Sequence, residues 1–402
     1  MSNFLNGQCA KCNDYNSSRV WCSKCDNKLL TKGWSSGDLE VDNCIKPFQL
    51  QTLSYKDAIE WIPFDKLNNI QKIGEGGNGI VYSAIWLDGI RVVRGYSDIK
   101  PKCVRQRKPS SMVALKTLHG SSTSECLEEF ENLMECRIKG IGLMIYGLTY
   151  NMKTNKYLIV YQFANKGNLH EYLVSNFKEF KWESKLEQLL YISYDLSQIH
   201  EAGFTHKDIH SGNILLHLDD NPLLNRLYSY IADLGLSRRK NGHGSKKVHG
   251  VLRYIAPEVL ISGQFTQASD IYGLGAIMPE ISTGKRPFYD ISDEEIPNMT
   301  LNGSLPEFAP ETPDCYIELA KKCMNSDPLK RPSAKTVSLE LFHLHWIISK
   351  PSKTIEEFEI KKKFLYSDEI NKKSTTNLID HSNFTDTSKI IDTPKTEGKY
   401  RI

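Results

Sequence analysis

The apolar positions of the chain predict a strand-rich first half. Short apolar runs at Ile70–Ile73 and Ile80–Trp86 flank a glycine-rich turn and predict a β-hairpin, and Met112–Leu118 predicts a third strand. Glu125–Cys136 has the period of an amphipathic helix, and the nearly continuous apolar run Tyr157–Phe163 predicts a buried strand.

Helical periodicity dominates the second half. Two series of aliphatic residues recur at helical spacing, and each ends at a glycine, a common helix terminator. The first series comprises Leu186, Leu189, Leu190, Leu196 and Ile199, and the second comprises Ile271, Leu274, Met278 and Ile281. The two halves together predict an α+β architecture.

Composition divides the chain into four parts. Residues 1–35 are rich in Cys, Asn and Ser and are too few to bury a core without a staple, which could be a metal. Residues 36–67 are expected to be a linker that ends in a short amphipathic helix at Tyr55–Trp61, leading into the main domain at 68–348. The polar tail, 349–402, is expected to be largely disordered.

One connection between predicted strands is unusually long and basic. Between Asp88 and Ser111 the chain carries seven basic residues against one acidic residue, Asp98. The basic residues are Arg91, Arg94, Lys100, Lys102, Arg105, Arg107 and Lys108. This basic insertion, residues 88–111, could contact an acidic partner, but the simpler interpretation is a solvated, mobile loop.

The overall composition is that of a soluble globular protein. The net charge of +3 is too small to imply nucleic acid or membrane as an obligatory partner, and no apolar run is long enough for a membrane span or an export signal. We therefore expect an intracellular and most simply cytoplasmic protein with reduced cysteines.

Five short motifs follow one another along the main domain. They are Gly74-Glu75-Gly76-Gly77-Asn78-Gly79, Val113-Ala114-Leu115-Lys116, His206-Lys207-Asp208-Ile209-His210-Ser211-Gly212-Asn213, Asp233-Leu234-Gly235 and Ala256-Pro257-Glu258. The glycine motif alone is weak, since dinucleotide-binding folds use the same spacing, although there a helix follows and not a strand. All five in this order form a strong signal.

This set resembles the eukaryotic protein kinases over residues 68–348. Within them the chain is most similar to the tyrosine-kinase-like group, particularly to the expanded kinase families of mycorrhizal fungi, many of which begin with a paired Cys-x-x-Cys module. The resemblance implies a two-lobed kinase fold, with a β-rich N-lobe and an α-helical C-lobe, preceded here by a small zinc-ribbon-like module.

The resemblance also implies the catalytic roles. Gly74, Gly76 and Gly79 would cover the phosphates of ATP, and Lys116 would bind the α and β phosphates. Asp208 would orient the acceptor hydroxyl and take its proton, while Asn213 and Asp233 would hold Mg²⁺. Glu258 would pair with Arg331, and Asp270 would hold the catalytic loop from behind.

The adenine site would lie at the segment that connects the two lobes. The backbone of Gln162, Phe163 and Ala164 would bind the adenine edge, and Tyr161 falls at the family's gatekeeper position, although a core aromatic is nearly as plausible. The remaining residues assigned to the nucleotide site by the resemblance are Ile73, Val81 and Ala114.

The sequence offers several candidates for the carboxylate partner of Lys116. Four glutamates of the predicted helix compete, Glu128, Glu129, Glu131 and Glu135. We favour Glu129, because it leaves Phe130 and Leu133 on the inward face of the helix, while Glu131 stays an alternative.

Several features depart from the usual serine/threonine kinase pattern. His210 replaces a lysine two residues after Asp208, and Lys207 replaces an arginine that pairs with an activation-loop phosphate. The turn Gly250–Tyr254 lacks a typical threonine, so the class of hydroxyl acceptor is left open.

The first 35 residues contain two Cys-x-x-Cys pairs nine residues apart. Cys9, Cys12, Cys22 and Cys25 could close a tetrahedral Zn²⁺ site, against the alternative of a reduced, disordered cluster.

The leading hypothesis is an ATP- and Mg²⁺-dependent kinase that phosphorylates Ser or Thr hydroxyls of protein substrates, with Tyr hydroxyls as the alternative. A pseudokinase scaffold is the main alternative, but retention of Lys116, Asp208, Asn213 and Asp233 favours an enzyme. A zinc-dependent nucleic-acid binder is weaker, because no aromatic and basic binding surface stands out.

Overall fold

The computed structural model describes residues 6–76, 79–95, 103–120, 122–139, 142–219, 225–234, 238–239, 248–373 and 389–391. The chain forms two compact units. Unit 1 comprises Met1–Ile138 with Leu143–Phe163, and unit 2 comprises Lys139–Gly142 with Ala164–Ile402. No described helix is both long enough and apolar enough to cross a membrane.

Unit 1 is built on a six-stranded sheet. Its helices are α1 (Ser23–Leu30), α2 (Leu39–Leu50) and α3 (Thr123–Ile138). Its strands are β1 (Glu60–Trp61), β2 (Leu67–Gly76), β3 (Gly79–Trp86), β4 (Ile90–Arg94), β5 (Val104–Lys108), β6 (Ser111–Thr117), β7 (Ile145–Asn151) and β8 (Lys156–Gln162). The sheet order is β1-β7-β8-β6-β3-β2, while β4 and β5 form a separate hairpin. The strands and helix predicted for this half are confirmed to within a few residues.

Alternation along β6 separates the core from the opposite face of the sheet. Val113 and Leu115 are fully buried in a cluster with side chains of β3 and β8, such as Trp86 and Val160. Ala114 and Lys116 are only partly buried and point to the other face, because successive strand residues alternate. Lys116 therefore lies on the face of the sheet opposite this core.

The region expected to be a linker contains an ordered helix. In α2, Val41, Cys44 and Ile45 are buried at helical spacing, and Phe48 packs edge-on against Phe130 of α3 with ring centroids 6.2 Å apart. The Asp38 side chain caps the helix by accepting the N–H of Glu40. The i, i+3, i+4 spacing was present in the sequence and could have predicted this helix.

The lead-in helix predicted at Tyr55–Trp61 is wrong. Tyr55–Asp57 forms a single 3₁₀ turn, and Glu60–Trp61 is β1, which pairs parallel with Gly147 and Leu148 of β7. A side-chain carbon on Gly147 would lie 1.8 Å from the Glu60 carbonyl oxygen, so the glycine permits this pairing. The pairing of β1 with the edge of the sheet at β7 therefore determined the structure of this segment, and not the amphipathic helix that its spacing predicts.

The basic insertion forms a hairpin in its described part, contrary to the predicted mobile loop; residues 96–102 lie outside the described part of the chain. Arg91 Nε lies 2.8 Å from Glu60 Oε1, and Arg107 Nη2 lies 2.6 Å from the same oxygen. Arg105 forms a bidentate pair with Asp26, with Nη1 3.0 Å from Oδ1. The acidic groups that bind these three arginines therefore belong to the chain itself.

Unit 2 is mainly helical. Its helices are α4 (Leu169–Asn176), α5 (Trp182–Glu201), α6 (Pro257–Ser262), α7 (Gln267–Thr283), α8 (Ile296–Leu301), α9 (Asp314–Cys323), α10 (Ala334–Ser349) and α11 (Ile355–Lys373). Three two-stranded sheets are formed by β9 (Phe204–Thr205) with β12 (Arg238–Arg239), β10 (Ile214–Leu218) with β11 (Leu227–Ile231), and β13 (Val248–Gly250) with β14 (Lys389–Ile391). The two predicted helical series lie in α5 and α7, as expected.

Part of the tail expected to be disordered is a docked helix. Phe364 of α11 is fully buried, and its ring packs on Trp182 of α5 with centroids 5.2 Å apart. The indole Nε1 of Trp182 donates to Ser367 at 2.8 Å, and the Trp182 backbone N–H donates to Asp368 at 2.9 Å. A few apolar residues thus suffice here, because Phe364 is buried and hydrogen bonds to Ser367 and Asp368 add to its contact with Trp182.

A lysine is buried beside this helix. Lys185 of α5 is fully buried, and its ammonium nitrogen lies over the rings of Phe177 and Trp182, at 4.2 and 5.1 Å from their centroids. Burial lowers the pKa of Lys185 to about 7, although the charge of Asp368 opposes the shift. The native state therefore holds a proton here more weakly than the unfolded chain does.

We predict that Lys185→Met stabilises the protein by about 1–3 kcal/mol at pH 7, because an apolar side chain of similar length avoids the cost of burying an ammonium group. Between pH 7 and 9 the unfolded chain binds more protons at Lys185 than the native state, so this lysine makes stability rise with pH. The advantage of the variant should therefore shrink as pH increases.

Urea unfolding at pH 7, 8 and 9 measures this difference. Lys178→Met, which changes an exposed lysine nearby, is the control and should leave stability unchanged. A Lys185→Met variant less stable than wild type at pH 7 would contradict the prediction.

Candidate active site

A buried carboxylate holds the backbone of the predicted catalytic loop. Asp270, in the first turn of α7, is 2% exposed. Its two oxygens accept the backbone N–H groups of His206 and Lys207, each at 2.8 Å, and His200 Nε2 lies 2.9 Å from Oδ2. The role predicted for Asp270 is confirmed.

His206 connects the catalytic loop to the segment that carries Asp233. Its Nδ1 accepts the backbone N–H of Asp208 at 3.3 Å, which leaves the ring proton on Nε2. That nitrogen then donates to the carbonyl oxygen of Ala232 at 3.0 Å. One neutral imidazole thus fixes two catalytic segments, a role that the sequence motif alone did not reveal.

Asn213 makes a second connection between the same segments. Its side-chain Nδ2 donates to Asp208 twice, to the carbonyl oxygen at 2.9 Å and to Oδ2 at 3.2 Å. Its backbone carbonyl accepts the N–H of Ala232 at 2.8 Å. The structure therefore brings together Asp208, Asn213 and the residue preceding Asp233, all in unit 2.

Two of these segments contain non-glycine residues in the left-handed region of backbone conformation. Lys207 has φ of 75° and Asp233 has φ of 67°. Such conformations are costly for residues other than glycine, and they cluster at functional sites. The hydrogen bonds to Asp270 and His206 hold the backbone on either side in place.

Helix α7 supports the loop by direct contact. A side-chain carbon on Gly273 would lie 2.7 Å from the carbonyl oxygen of Ile209, so only glycine allows this approach. Thr266 and Ser269 form a capping box that begins the helix. The helix therefore begins at a defined residue and places both Asp270 and Gly273 under the loop.

A buried polar network lies next to the loop and was not predicted. Glu280 is fully buried; its Oε2 accepts the hydroxyl of Tyr254 at 2.7 Å, and its Oε1 lies 2.9 Å from His170 Nδ1. The Tyr254 hydroxyl also lies 3.0 Å from Ser211 Oγ. A lone glutamate within the apolar sequence of α7 was the signal that could have indicated it.

His210 faces the proposed catalytic base. Its Nδ1 accepts the backbone N–H of Gly212 at 3.2 Å, and its Nε2 lies 3.6 Å from Asp208 Oδ2. Both side chains are almost completely buried. The histidine that replaces the usual lysine is thus directed toward Asp208.

The ion pair predicted between Glu258 and Arg331 is confirmed. The two side chains form a bidentate pair, with both nitrogen-to-oxygen distances 2.7 Å. Arg331 also donates to the carbonyl oxygen of Ala268 at 2.8 Å. This pair fixes the segment that follows Tyr254.

The nucleotide residues predicted for unit 1 share one face of its sheet. Val81 and Lys116 are opposite each other in the β3–β6 register, and Ala114 is opposite Tyr161 in the β6–β8 register. Directly opposed residues point to the same side. These four predicted residues are therefore grouped, while Ile73 is 53% exposed on β2.

The glycine-rich turn and the connecting segment have defined ends. A side-chain carbon on Gly79 would lie 2.8 Å from Thr117 Oγ1, and its φ of 109° favours glycine. Residues 77 and 78, at the tip, lie outside the described part of the chain.

The backbone N–H of Gln162 donates to the carbonyl oxygen of Met144 at 2.8 Å. The carbonyl group of Gln162 and the backbone of the following residues would therefore provide the predicted adenine contacts.

The geometry of α3 bears on the choice between two glutamates. Phe130 and Leu133 are buried, as predicted, and Glu129 Oε2 accepts the backbone N–H of His119 at 2.9 Å. Burial and then the charge of Glu131 raise the pKa of the Cys44 thiol to about 12, so Glu131 faces α2. Glu129 stays the predicted partner of Lys116.

The four predicted metal ligands lie together in unit 1. The sulfur atoms of Cys9, Cys12, Cys22 and Cys25 are all within 4.8 Å of one another, and those of Cys12 and Cys22 are 3.6 Å apart. Ligands at about 2.3 Å around a tetrahedral Zn²⁺ ion would be about 3.8 Å apart. The spacing therefore suits zinc.

The thiols of this cluster differ in acidity. Backbone N–H groups of Lys11 and Cys12 lower the pKa of Cys9 to about 7, while the neighbouring Cys12 thiol raises the pKa of Cys25 to about 12. Thiolates so close together repel one another, so a cation is needed for all four to ionise.

The cysteine cluster is attached to the basic hairpin through Asp26. Asp26 Oδ2 accepts the backbone N–H of Cys22 at 2.7 Å and also binds Arg105. Burial alone would raise the pKa of Asp26, but the hydrogen bonds from Arg105 and Cys22 hold it below its ordinary value. The guanidinium also lies over Trp21, 5.0 Å from the ring centroid.

Comparison with known proteins agrees with the site. The sequence model of the family described as protein tyrosine and serine/threonine kinase matches residues 67–341. The chain therefore belongs to this family, and the sheet-based unit 1 and helical unit 2 are its two lobes.

Several curated relatives are similar over about two thirds of the chain. A protein kinase and PP2C-like domain-containing protein of Arabidopsis thaliana is 27% identical, over 70% of this chain and 44% of that protein. A probable serine/threonine-protein kinase of Dictyostelium discoideum is 28% identical, over 69% of this chain and 16% of that protein. Wall-associated receptor kinase-like 10 of Arabidopsis thaliana is 28% identical, over 67% of this chain and 35% of that protein. The chain thus matches less than half the length of each of these relatives.

We predict that Gly273→Ala lowers phosphoryl transfer at least about tenfold while the protein stays folded, because the added methyl group must displace Ile209 and the catalytic loop. Gly275→Ala in the same helix is the matched control: its methyl group would contact Cys323 and Met324 and not the loop. Peptide phosphorylation and circular dichroism of both variants measure the effect. Equal losses of activity would show that general helix crowding is responsible.

Proposed function

We propose that the chain is an ATP-dependent protein kinase that transfers the γ-phosphoryl group to hydroxyl groups of protein substrates. The observation that supports this most directly is the arrangement of Asp208 and Asn213, connected through Ala232 to Asp233. Serine and threonine are favoured over tyrosine because relatives in Dictyostelium discoideum carry the name of serine/threonine-protein kinases.

In this mechanism Asp208 orients the acceptor hydroxyl and takes its proton. The hydroxyl oxygen forms a bond to the γ phosphorus, the bond from that phosphorus to the bridging oxygen breaks, and ADP leaves. Asn213 Nδ2 holds one carboxylate oxygen of Asp208, so the other is the more suitable proton acceptor. Lys116 and the backbone of the glycine-rich turn would hold the phosphates.

The residues of unit 2 fit a magnesium site. The side-chain Nδ2 of Asn213 points toward Asp208. The side-chain oxygen Oδ1 of Asn213 is therefore the atom that would coordinate an ion, together with the carboxylate of Asp233. Oxygen ligands of this kind are those that Mg²⁺ prefers. When bound, Mg²⁺ would neutralise charge on the phosphates.

The alternative of a pseudokinase scaffold is less consistent with these residues. The left-handed backbone conformations of Lys207 and Asp233 cost conformational free energy. A scaffold without catalysis would not need these conformations, and this chain has kept them. We also propose that the protein acts within the cell and belongs to the tyrosine-kinase-like group, near the fungal families that carry a paired Cys-x-x-Cys module.

We further propose that the N-terminal module binds one structural Zn²⁺ ion through Cys9, Cys12, Cys22 and Cys25. The support is the spacing of the four sulfur atoms and the attachment of Asp26 to Arg105. The module packs against the rest of unit 1, with Trp21 buried and its indole nitrogen donating to the carbonyl oxygen of Thr52 at 3.3 Å.

We predict that Asp208→Asn and Lys116→Met each lower phosphoryl transfer by about a thousandfold or more, because they remove the proton acceptor and a phosphate contact. Transfer of radiolabelled phosphate from ATP to a generic protein substrate measures the rates. Asp290→Asn, at an exposed position, is the control and should keep full activity. Near-normal rates in both active-site variants, with folding intact, would contradict the assignment of Asp208 and Lys116 to the kinase active site.

We predict that purified protein contains about one zinc ion per chain and that Cys12→Ser with Cys25→Ser abolishes this content, because two ligands cannot retain the ion. Cys103→Ser, outside the cluster, is the control and should leave the zinc content unchanged. Elemental analysis under reducing conditions gives the result. Absence of zinc in the wild-type protein would favour the alternative of a metal-free cysteine cluster.

A further inference from the structure

The segment that precedes the Tyr254 turn pairs with a strand from the C-terminal region of the chain. In antiparallel register, Val248 is opposite Ile391, His249 opposite Ile390 and Gly250 opposite Lys389. Within the described residues, β13 and β14 form a sheet of their own. The contact is a main-chain one, which any extended peptide could make in principle.

This strand pair lies beside the catalytic base. A side-chain carbon on Gly250 would be 3.4 Å from Asp208 Oδ1, so the backbone of β13 passes directly along the carboxylate. Opposed residues of paired strands have Cα atoms about 5 Å apart, which places the backbone at Lys389 within roughly 10 Å of Asp208. An acceptor hydroxyl must come within hydrogen-bonding distance of the same carboxylate.

The strand is held close by the helix that precedes it. Helix α11 is anchored to α5 through Phe364, Ser367 and Asp368. The fifteen residues between α11 and β14 can span at most about 50 Å, so the local concentration of the strand near β13 is high.

We propose that Lys389–Ile391 is an autoinhibitory strand, which occupies the edge of β13 and competes with protein substrates for access to Asp208. The three paired residues, Lys389, Ile390 and Ile391, contain no hydroxyl group. None of these three residues can therefore accept a phosphoryl group, while Ser388 directly precedes them. This proposal rests on the kinase function proposed above and adds to it a mode of regulation.

The test uses the full chain with Ile390→Pro and Ile391→Pro together. Neighbouring strand residues alternate in their hydrogen bonding, so a pair of prolines removes the ladder N–H whichever residue donates it. We expect the KM for a generic acceptor peptide to fall about tenfold, as loss of one or two net hydrogen bonds implies, with the KM for ATP unchanged. Thr376→Pro with Asn377→Pro, between α11 and β14, is the matched control and should behave as wild type.

A second arm adds a synthetic peptide of residues 385–395 to the Ile390→Pro, Ile391→Pro chain. We expect inhibition that is competitive with the acceptor peptide and not with ATP, and none from a peptide that carries the same two prolines. Unchanged peptide KM in the variant, or competition with ATP, would overturn the proposal. So would phosphorylation of this peptide, detected by mass spectrometry, because the segment would then be a substrate.

Binding separates this proposal from the kinase assignment. Fluorescence anisotropy of the labelled 385–395 peptide on the same variant needs no catalysis. If no form of the chain transfers phosphate, the kinase assignment fails; binding that the two prolines abolish would still support the strand contact, and equal binding by both peptides would overturn it.

Discussion

The buried carboxylate of Asp270 is the interaction on which the catalytic unit depends. A desolvated negative charge is costly unless hydrogen bonds compensate it, and here the N–H groups of His206 and Lys207 do so together with His200. The same hydrogen bonds hold Lys207 in a left-handed conformation and thereby orient the backbone from which the side chain of Asp208 projects. The hydrogen bonds that compensate the buried charge of Asp270 therefore also fix the position of the catalytic residue.

Charge compensation organises unit 1 in a similar way. Glu60 binds two arginines of the basic hairpin, Arg91 and Arg107, and the buried Asp26 binds one, Arg105. Because Asp26 also binds the N–H of Cys22, the hairpin, the cysteine cluster and the sheet form one connected structure. The described part of the basic insertion is therefore a structural element of this unit, and not the solvated, mobile loop that its composition favoured.

Local patterns predicted most of the elements of the two halves, and family motifs predicted some distant contacts, such as that of Glu258 with Arg331. Alternation in β6 gave the face of Lys116, and helical spacing gave α3, α5 and α7. By contrast, Arg105 and Asp26 are 79 residues apart, and Trp182 and Ser367 are 185 apart, so no local pattern indicated the hairpin contacts or the docking of α11. The motifs named Asp208, Asn213 and Asp233, but the tautomer of His206 that connects them required the geometry.

The docking of α11 has a consequence for the order of events during synthesis. Helix α5 is made long before its partner: at about 5–20 residues per second, the ribosome needs roughly 10–35 s to go from Trp182 to the start of α11. Through that interval the indole of Trp182 lacks the ring of Phe364 and the hydroxyl of Ser367 that contact it in the folded protein. The C-terminal lobe therefore completes its folding late, and the nascent chain displays an aromatic surface that chaperones can recognise.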